Sequence, residues 1–213
     1  MLQAFKHHKI SKTIRDELWN QEDVKTSSII GTLSYLPTEM FWGILKRSIR
    51  NNDENLRYSG DLLQIDFWAQ WKLGKDRIEP DVFIRFEHFD VIIELKRNDG
   101  NKQTSWQWKN ELGAYHQKYG NSKKVYLIAI SGRTYDSHKD VFQCSWTLLR
   151  DEVNNVYIQE QSKNPYSSEI RILRTALDAF DIHREYKFYY FEDILYNREK
   201  DKIGDYSSLF TTK

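Results

Sequence analysis

Covalent cross-links play no part in holding this chain. A single cysteine, Cys144, stands among 213 residues, which excludes an internal disulfide and a cysteine-based zinc cluster. Proline is nearly as scarce. The three prolines fall at 37, 80 and 165, and only the last marks a plausible internal boundary. No apolar run approaches the roughly 18 residues of a membrane span. The opening MLQAFKHHKISK is basic but lacks the apolar centre of a signal peptide, so a soluble, cytoplasmic protein with no membrane partner is expected. Charge of one sign is also missing. The formal net charge is +1, so no global field recruits a polyanion, and any nucleic-acid surface must be a local patch. Repeats and low-complexity segments are absent. What the chain has in quantity is aromatic side chains, 15% of residues against a mean hydropathy of −0.74. The core is therefore expected to be built largely of rings, within a single domain spanning 1–213 that can bury a sizeable interior.

The most informative stretch is EPDVFIRFEHFDVIIELK, residues 79–96. Val82–Phe86 and Val91–Leu95 read as strands joined by a polar break at Glu87–His88, and Pro80 opens the first where a missing N–H costs little. In a hairpin centred on that break, Asp81 lies opposite Glu94, with Cβ atoms roughly 4.5–5.5 Å apart. Strand period puts Lys96 on the same face. Two carboxylates so close repel each other, and a cation relieves the repulsion; oxygen ligands of this kind suit Mg²⁺, with Mn²⁺ as a substitute. Without a cation, the same residues form an ion pair on a sheet surface, contributing only about 0–1 kcal/mol when exposed.

Pro80-Asp81 and Glu94-Leu95-Lys96 resemble the PD and ExK of the PD-(D/E)xK nuclease superfamily. The order of elements around them extends the resemblance to roughly residues 34–131. It implies a restriction-endonuclease-like α/β core: a central mixed sheet, made of an antiparallel three-strand meander plus a parallel strand, flanked by helices. A helix near 38–50, with Phe41, Ile44, Leu45 and Ile49 as its apolar stripe, precedes the sheet. Leu63, Ile65, Phe67, Ala69, Trp71 and Leu73 alternate and predict one long strand, with Gln64, Asp66, Gln70 and Lys72 on its other face; Gly74–Arg77 supplies the turn into the Pro80 strand. Trp108, Leu112, Tyr115 and Tyr119 mark a helix over 103–119, and VYLIAI at 125–130 reads as a buried strand, completing a βαβ crossover. The resemblance implies metal ligands at Asp81 and Glu94, with Glu39 on the first core helix as the third. Asp53 and Glu54 are weaker choices, and Glu39 is equally read as a first-turn acid favoured by the helix dipole. It implies catalytic roles for Asp81, Glu94, Lys96 and Gln107. Gln107 lies eight residues before Tyr115, the Gln-to-Tyr spacing of the exonuclease-like branch, with Gln103 as the alternative.

The remaining chain is less telling. A first helix is expected over 11–23, and His7 and His8 read as solvated. From 96 to 124, seven Lys/Arg stand against two acids, a net of +5. Arg97, Lys102 and Lys109 are the expected phosphate contacts, and Trp106 is either packing or a base-stacking residue. Beyond Ser131, a helix over 140–150, an edge strand at Val156–Gln159, a helix after Pro165 capped by Ser167 or Ser168, an aromatic strand at Tyr186–Phe191 and a short helix near 192–196 are expected. Residues 151–213 thus form a C-terminal helical and strand extension. Its stretch 151–205 carries eight bases and twelve acids, a net of −4, which suits a homodimer interface or a partner protein better than phosphate. The expected activity is Mg²⁺-dependent endonucleolytic hydrolysis of DNA in restriction, phage defence or repair, with RNA as an open alternative substrate. The alternative from a different class is a catalytically silent nuclease-fold subunit that binds nucleic acid or a partner protein.

Overall fold

The computed structural model describes residues 11–19, 21–50, 59–96, 102–131, 138–160 and 167–180. One unit covers Met1–His183; a second, Arg184–Lys213, lies outside the described residues, as do the expected strand and short helix at 186–196. In the first unit three helices come before the sheet: α1 (Lys12–Trp19), α2 (Glu22–Leu33) and α3 (Thr38–Arg47). Strands β1 (Leu62–Phe67), β2 (Trp71–Leu73), β3 (Asp76–Ile78), β4 (Val82–Phe86) and β5 (Phe89–Leu95) follow. Then come α4 (Ser105–Tyr119), β6 (Lys124–Ile130), β7 (Val141–Cys144), α5 (Trp146–Glu160) and α6 (Ser167–Ala179).

Five strands form a mixed sheet in the order β1-β4-β5-β6-β7. The first three are antiparallel and the last two join in parallel. This is the α/β architecture expected above, with one more parallel strand. The β4–β5 register pairs Val82 with Ile93 and Phe83 with Ile92, the alignment that sets Asp81 opposite Glu94. Every residue of β5 is buried, as a central strand covered on both faces requires. Val82, Ile84, Phe86, Val91, Ile93 and Leu95 point to one face, where Ile29, Ile30 and Leu33 of α2, Phe41, Ile44 and Leu45 of α3, and residues of α5 and α6 close over them. Phe83, Ile92, Leu127 and Ala129 point to the other, covered by Trp108, Leu112 and Tyr115 of α4 and by Trp71 of β2. Side-chain alternation along the two central strands thus sorts the apolar residues into two layers.

Several expectations give way. The long alternating strand over 63–73 is two strands. Trp68 adopts φ 53° and donates its N–H to the Asp81 carbonyl at 3.0 Å, and there the chain leaves the sheet. Beyond it β2 pairs with β3 as a separate two-stranded sheet, so the expected turn over 74–77 is tighter and Asp76–Ile78 is a strand. The alternation survives, but Ile65 and Phe67 serve one core layer while Ala69, Trp71 and Leu73 serve the other. A register shift between Leu62 and Gln64 turns Leu62 inward and leaves Leu63 62% exposed.

The expected first helix over 11–23 is two helices, the second running on to Leu33 through KTSSIIGTL. That segment is rich in β-branched and small residues of low helix propensity, but full burial of Ile29, Ile30 and Leu33 overrides local preference. The helix expected over 140–150 begins only at Trp146. Ser145 Oγ accepts the Leu148 N–H at 3.2 Å and starts it, while Val141–Cys144 pairs with β6 as the last strand. The edge strand expected at 156–159 lies inside α5, with Val153 and Val156 buried. Among the described residues, no helix is long and apolar enough to cross a membrane.

Candidate functional site

The carboxylates meet where β4 begins and β5 ends. Asp81 sits just before β4, and its Oδ2 accepts the Leu95 N–H at 2.7 Å, which locks it against the end of β5. Glu94 is the penultimate residue of β5, 3% exposed, on the same face as Ile92 and facing α4. Lys96 follows the strand. Its N–H donates to the Ile130 carbonyl at 2.9 Å, its carbonyl accepts the Trp146 indole N–H at 3.1 Å, and its ammonium donates to Glu94 Oε1. The Gln107 amide Nε2 donates to the same Glu94 oxygen at 2.6 Å from the first turn of α4. The turn is fixed by Thr104, whose side chain accepts the Gln107 N–H. Asp81, Glu94, Lys96 and Gln107 are therefore one constellation.

The structure does not bring Glu39 into it. Glu39 is exposed on the first turn of α3 and makes no hydrogen bond or ion pair with Asp81, Glu94 or Lys96. The acid that arrives from a helix ahead of the sheet is Glu22, at the start of α2, 3.7 Å from the Lys96 ammonium. Its sequence setting is that of any first-turn acid, and nothing local distinguishes it from Glu39. A further acid, Glu111, is 2% exposed, and its carboxyl lies against Glu94 and Gln107. Its sequence does carry a signal. Three residues after Trp108 and four before Tyr115, it stands on the core-facing stripe of α4, where an acid is out of place. Gln103 does not enter the constellation but braces it from behind. Its Nε2 donates to the carbonyls of Glu94 (3.4 Å) and Ser131 (3.3 Å), and its Oε1 accepts the Trp108 indole N–H at 3.0 Å.

Tyr115 lies elsewhere. Its hydroxyl donates to Asp90 Oδ2 at 2.9 Å, four residues up β5 from Glu94. The fully buried Asp90 also holds the Lys123 ammonium at 2.8 Å and the Arg85 guanidinium at 3.5 Å. The basic run over 96–124 is accordingly partly committed: Lys96 to Glu94, Lys123 to Asp90. Lys102 and Lys109 are exposed, Arg97 lies outside the described residues, and Trp106 is 72% exposed.

The electrostatics disfavour negative charge on the acids. Burial, reinforced by the Glu94 charge, pushes the Asp81 carboxyl up to about 8, against the opposing pull of the Leu95 N–H and Lys96. Burial and then the charge of Glu94 hold Glu111 well above the usual carboxylate range. Burial alone would depress Lys96, but Glu94, with Glu22 and Asp81 behind it, more than compensates and the amine is held above its ordinary value. Lys96 thus stands as an ammonium paired with Glu94.

The donor set fits a hard divalent cation: oxygen-only ligands, buried, with more negative charge than one ammonium neutralises. As the side chains stand, no group of three or more Asp, Glu, His or Cys among the described residues has metal-ligand spacing, and the Lys96 ammonium occupies Glu94 Oε1. A cation would have to displace it.

The fold and site define a mixed α/β protein with a carboxylate–lysine cluster at the edge of its central sheet. No family model matches the chain. It is similar to an uncharacterized protein of Pasteurella multocida (strain Pm70), 30% identical over 154 residues that cover 71% of this chain and 56% of the relative. The chain thus spans little more than half that relative's length. Among solved structures, the small subunit of the heterodimeric restriction endonuclease R.BspD6I overlaps 79% of this chain and 91% of its own, at 13% identity and a TM-score of 0.29. Overlap that loose carries no argument, and the fold rests on the strand order itself.

Proposed function

We propose that the protein is a metal-dependent nuclease that hydrolyses phosphodiester bonds of DNA. The observation that carries the reading is the convergence of Asp81, Glu94, Lys96 and Gln107 at the adjoining ends of two antiparallel strands, in the register that their sequence positions require. Asp81 and Glu94 would hold Mg²⁺ or Mn²⁺. Such an ion would neutralise the carboxylates, polarise a phosphodiester and acidify water. The residues supply the rest. Asp81 is fixed by the Leu95 N–H and Glu94 by Gln107, so both carboxylates are preorganised. Lys96, held protonated, orients the attacking water and offsets negative charge as it builds on the phosphoryl oxygens. A bond forms from water oxygen to phosphorus, the opposite phosphorus–oxygen bond breaks, and the products are a phosphate monoester and a hydroxyl. The exposed Lys102 and Lys109, on the approach to α4 and on its first turns, suit the flanking phosphates.

The test is a cleavage assay on supercoiled plasmid and on single-stranded DNA with Mg²⁺ or Mn²⁺, comparing the native chain with Asp81→Ala and Lys96→Ala. Metal-dependent cutting lost in both variants supports the reading; cutting that survives both refutes this site. A second reading has one observation in its favour. The Lys96 ammonium pairs with Glu94, one of the two carboxylates that would hold the ion, as it would in a silent nuclease-fold subunit of a larger complex. Such a protein would bind nucleic acid or a partner protein but neither cut nor take up Mn²⁺.

A further inference from the structure

We propose that Glu111 is a third protein ligand of the cation site, reaching it from α4. The inference rests on the reading of the Asp81–Glu94 cluster as a cation site, and it assigns the third carboxylate to the helix after the sheet strands instead of a helix before them.

Glu111 is 2% exposed, and its Oε2 is buried with no hydrogen-bond partner. A buried carboxylate oxygen left unpaired is costly and uncommon in folded proteins. The carboxyl is aimed at the cluster, lying beside Glu94 and the Gln107 amide. Two carboxylates offer only acceptors to each other, so a carboxyl–carboxyl contact needs a proton or a cation between them. The nearest amide is already spent, since Gln107 Nε2 donates to Glu94 Oε1. The nearest ammonium is spent as well, since Lys96 pairs with Glu94 and with Glu22.

Helix geometry excludes an accident of surface placement. Gln107 and Glu111 are four apart, and so lie one above the other on the helix edge that faces the end of β5. Trp108, Leu112 and Tyr115 around them are buried, and Glu111 itself is nearly closed off from solvent. A residue needed only for packing at that position would be apolar. The arrangement also shows how the ion is admitted. The Lys96 ammonium must leave Glu94 Oε1, and Glu22 Oε1, 3.7 Å away, with the Leu95 carbonyl at 3.1 Å, provides alternative partners. Asp81, Glu94 and Glu111 are then free to share one hard cation.

The test is Mn²⁺ binding, which needs no turnover. The metal-free chain is titrated with Mn²⁺ while the free ion is followed by electron paramagnetic resonance, for the native protein, Asp81→Asn, Glu111→Gln and Glu111→Asp. Loss of a metal-site contact typically costs 10–100-fold in affinity, so Asp81→Asn and both Glu111 variants are each expected to weaken binding by at least about ten-fold. Glu111→Gln is nearly isosteric and removes a buried acid, so its thermal midpoint without metal should match or exceed that of the native chain. Glu111→Asp, which keeps the charge but withdraws it by one methylene, carries the test if the glutamine variant fails to fold. A purely structural Glu111 would shift the thermal midpoint and leave Mn²⁺ affinity alone. Native affinity in the Glu111 variants, with binding lost in Asp81→Asn, overturns the proposal and leaves the cation reading standing. No Mn²⁺ binding by the native chain overturns both.

Discussion

Tyr115 offers the sharpest separation of structural from functional residues. Its spacing from Gln107 suggested a shared site, yet the two side chains reach opposite ends of β5. Glu94 and Asp90 are four residues apart, about 13 Å along the strand. Tyr115→Phe removes one hydroxyl and keeps the ring, which packs against Phe83 at 6.0 Å and Tyr119 at 5.3 Å between centroids. What is lost is a hydrogen bond to a carboxylate with no solvent contact. Bonds to charged groups contribute about 1.5–3 kcal/mol. Asp90 keeps Lys123 and Arg85, so the cost should fall near the lower end, about 1.5–2 kcal/mol. For a domain of this size each kcal/mol moves the thermal midpoint by about 2–4 °C, which gives a drop of roughly 3–8 °C. Calorimetry measures the drop, and a parallel Mn²⁺ titration should show native affinity. Gln107→Ala also removes a hydrogen bond to a buried carboxylate, Glu94, which keeps Lys96, so its midpoint should fall by a similar few degrees, and weaker Mn²⁺ binding is what should set it apart. A Tyr115→Phe protein of undiminished stability and impaired Mn²⁺ binding would refute the assignment and return the hydroxyl to the site.

Burial pushes the Cys144 thiol up to about 12, so the native chain should resist iodoacetamide at pH 8 and react only on unfolding, as mass spectrometry would show. The same shift fixes a sign. Between pH 9 and about 12 the unfolded chain ionises the thiol and the folded chain does not, so stability falls as pH rises by about 1.4 kcal/mol per unit, and Cys144→Ala should flatten that part of a urea-unfolding profile. Gly60 has φ 71° and a Cβ there would stand 2.5 Å from Glu87 Cβ, whereas Gly74 at φ 62° faces open space. Gly60→Ala should therefore cost more than 2 kcal/mol, and Gly74→Ala only about 1–2, by chemical denaturation. Trp106→Ala should leave the midpoint within about 2 °C, because the ring is 72% exposed, and weaken fluorescence-detected binding of single-stranded DNA. Unchanged binding would leave Trp106 without a nucleic-acid role.

Much of the core was legible because its residues obey one period each. Val82–Phe86 and Phe89–Leu95 are β-branched and aromatic runs around a two-residue polar break, and their register follows from counting. The stripe through Trp108, Leu112, Tyr115 and Tyr119 gave α4 within two residues of its start. Illegible segments are those where distant contacts override local preference. Residues 22–33 are helical because α3, α5 and α6 share their apolar layer, and Val141–Cys144 is a strand because β6 offers an open edge. The alternation over 63–73 was real, but period two says nothing about a backbone reversal at Trp68 that divides it between two layers. The site shows the same division. Asp81, Glu94, Lys96 and Gln107 follow from register and helix period. Glu22 comes from an element whose packing no local pattern announces.

The residues that break local rules cluster around the acids. Trp68 and Ser131 are the two non-glycine residues with positive φ among the described residues, at 53° and 63°. Both frame the site: the Trp68 N–H holds the Asp81 carbonyl, and the Ser131 carbonyl shares Gln103 with that of Glu94. Asp81 and Glu111 are acids whose burial raises their proton affinity. Each feature lowers stability, by about 1–3 kcal/mol for a strained backbone conformation, and each could be removed by a substitution that leaves the apolar layers intact. Buried charge also lies at Asp90, at the other end of β5, but there Lys123 and Arg85 answer it; strain and acids of raised proton affinity scattered through a fold would be imperfections of packing. Gathered on one rim of the sheet, at the ends of β1, β4, β5 and β6, they mark a place where stability is given up to hold carboxylates at a fixed distance. Substitutions that relax that rim, Ser131→Gly among them, should therefore raise or preserve the thermal midpoint while lowering Mn²⁺ affinity. A midpoint that falls with affinity unchanged would mean that the strain belongs to the fold and not to the site.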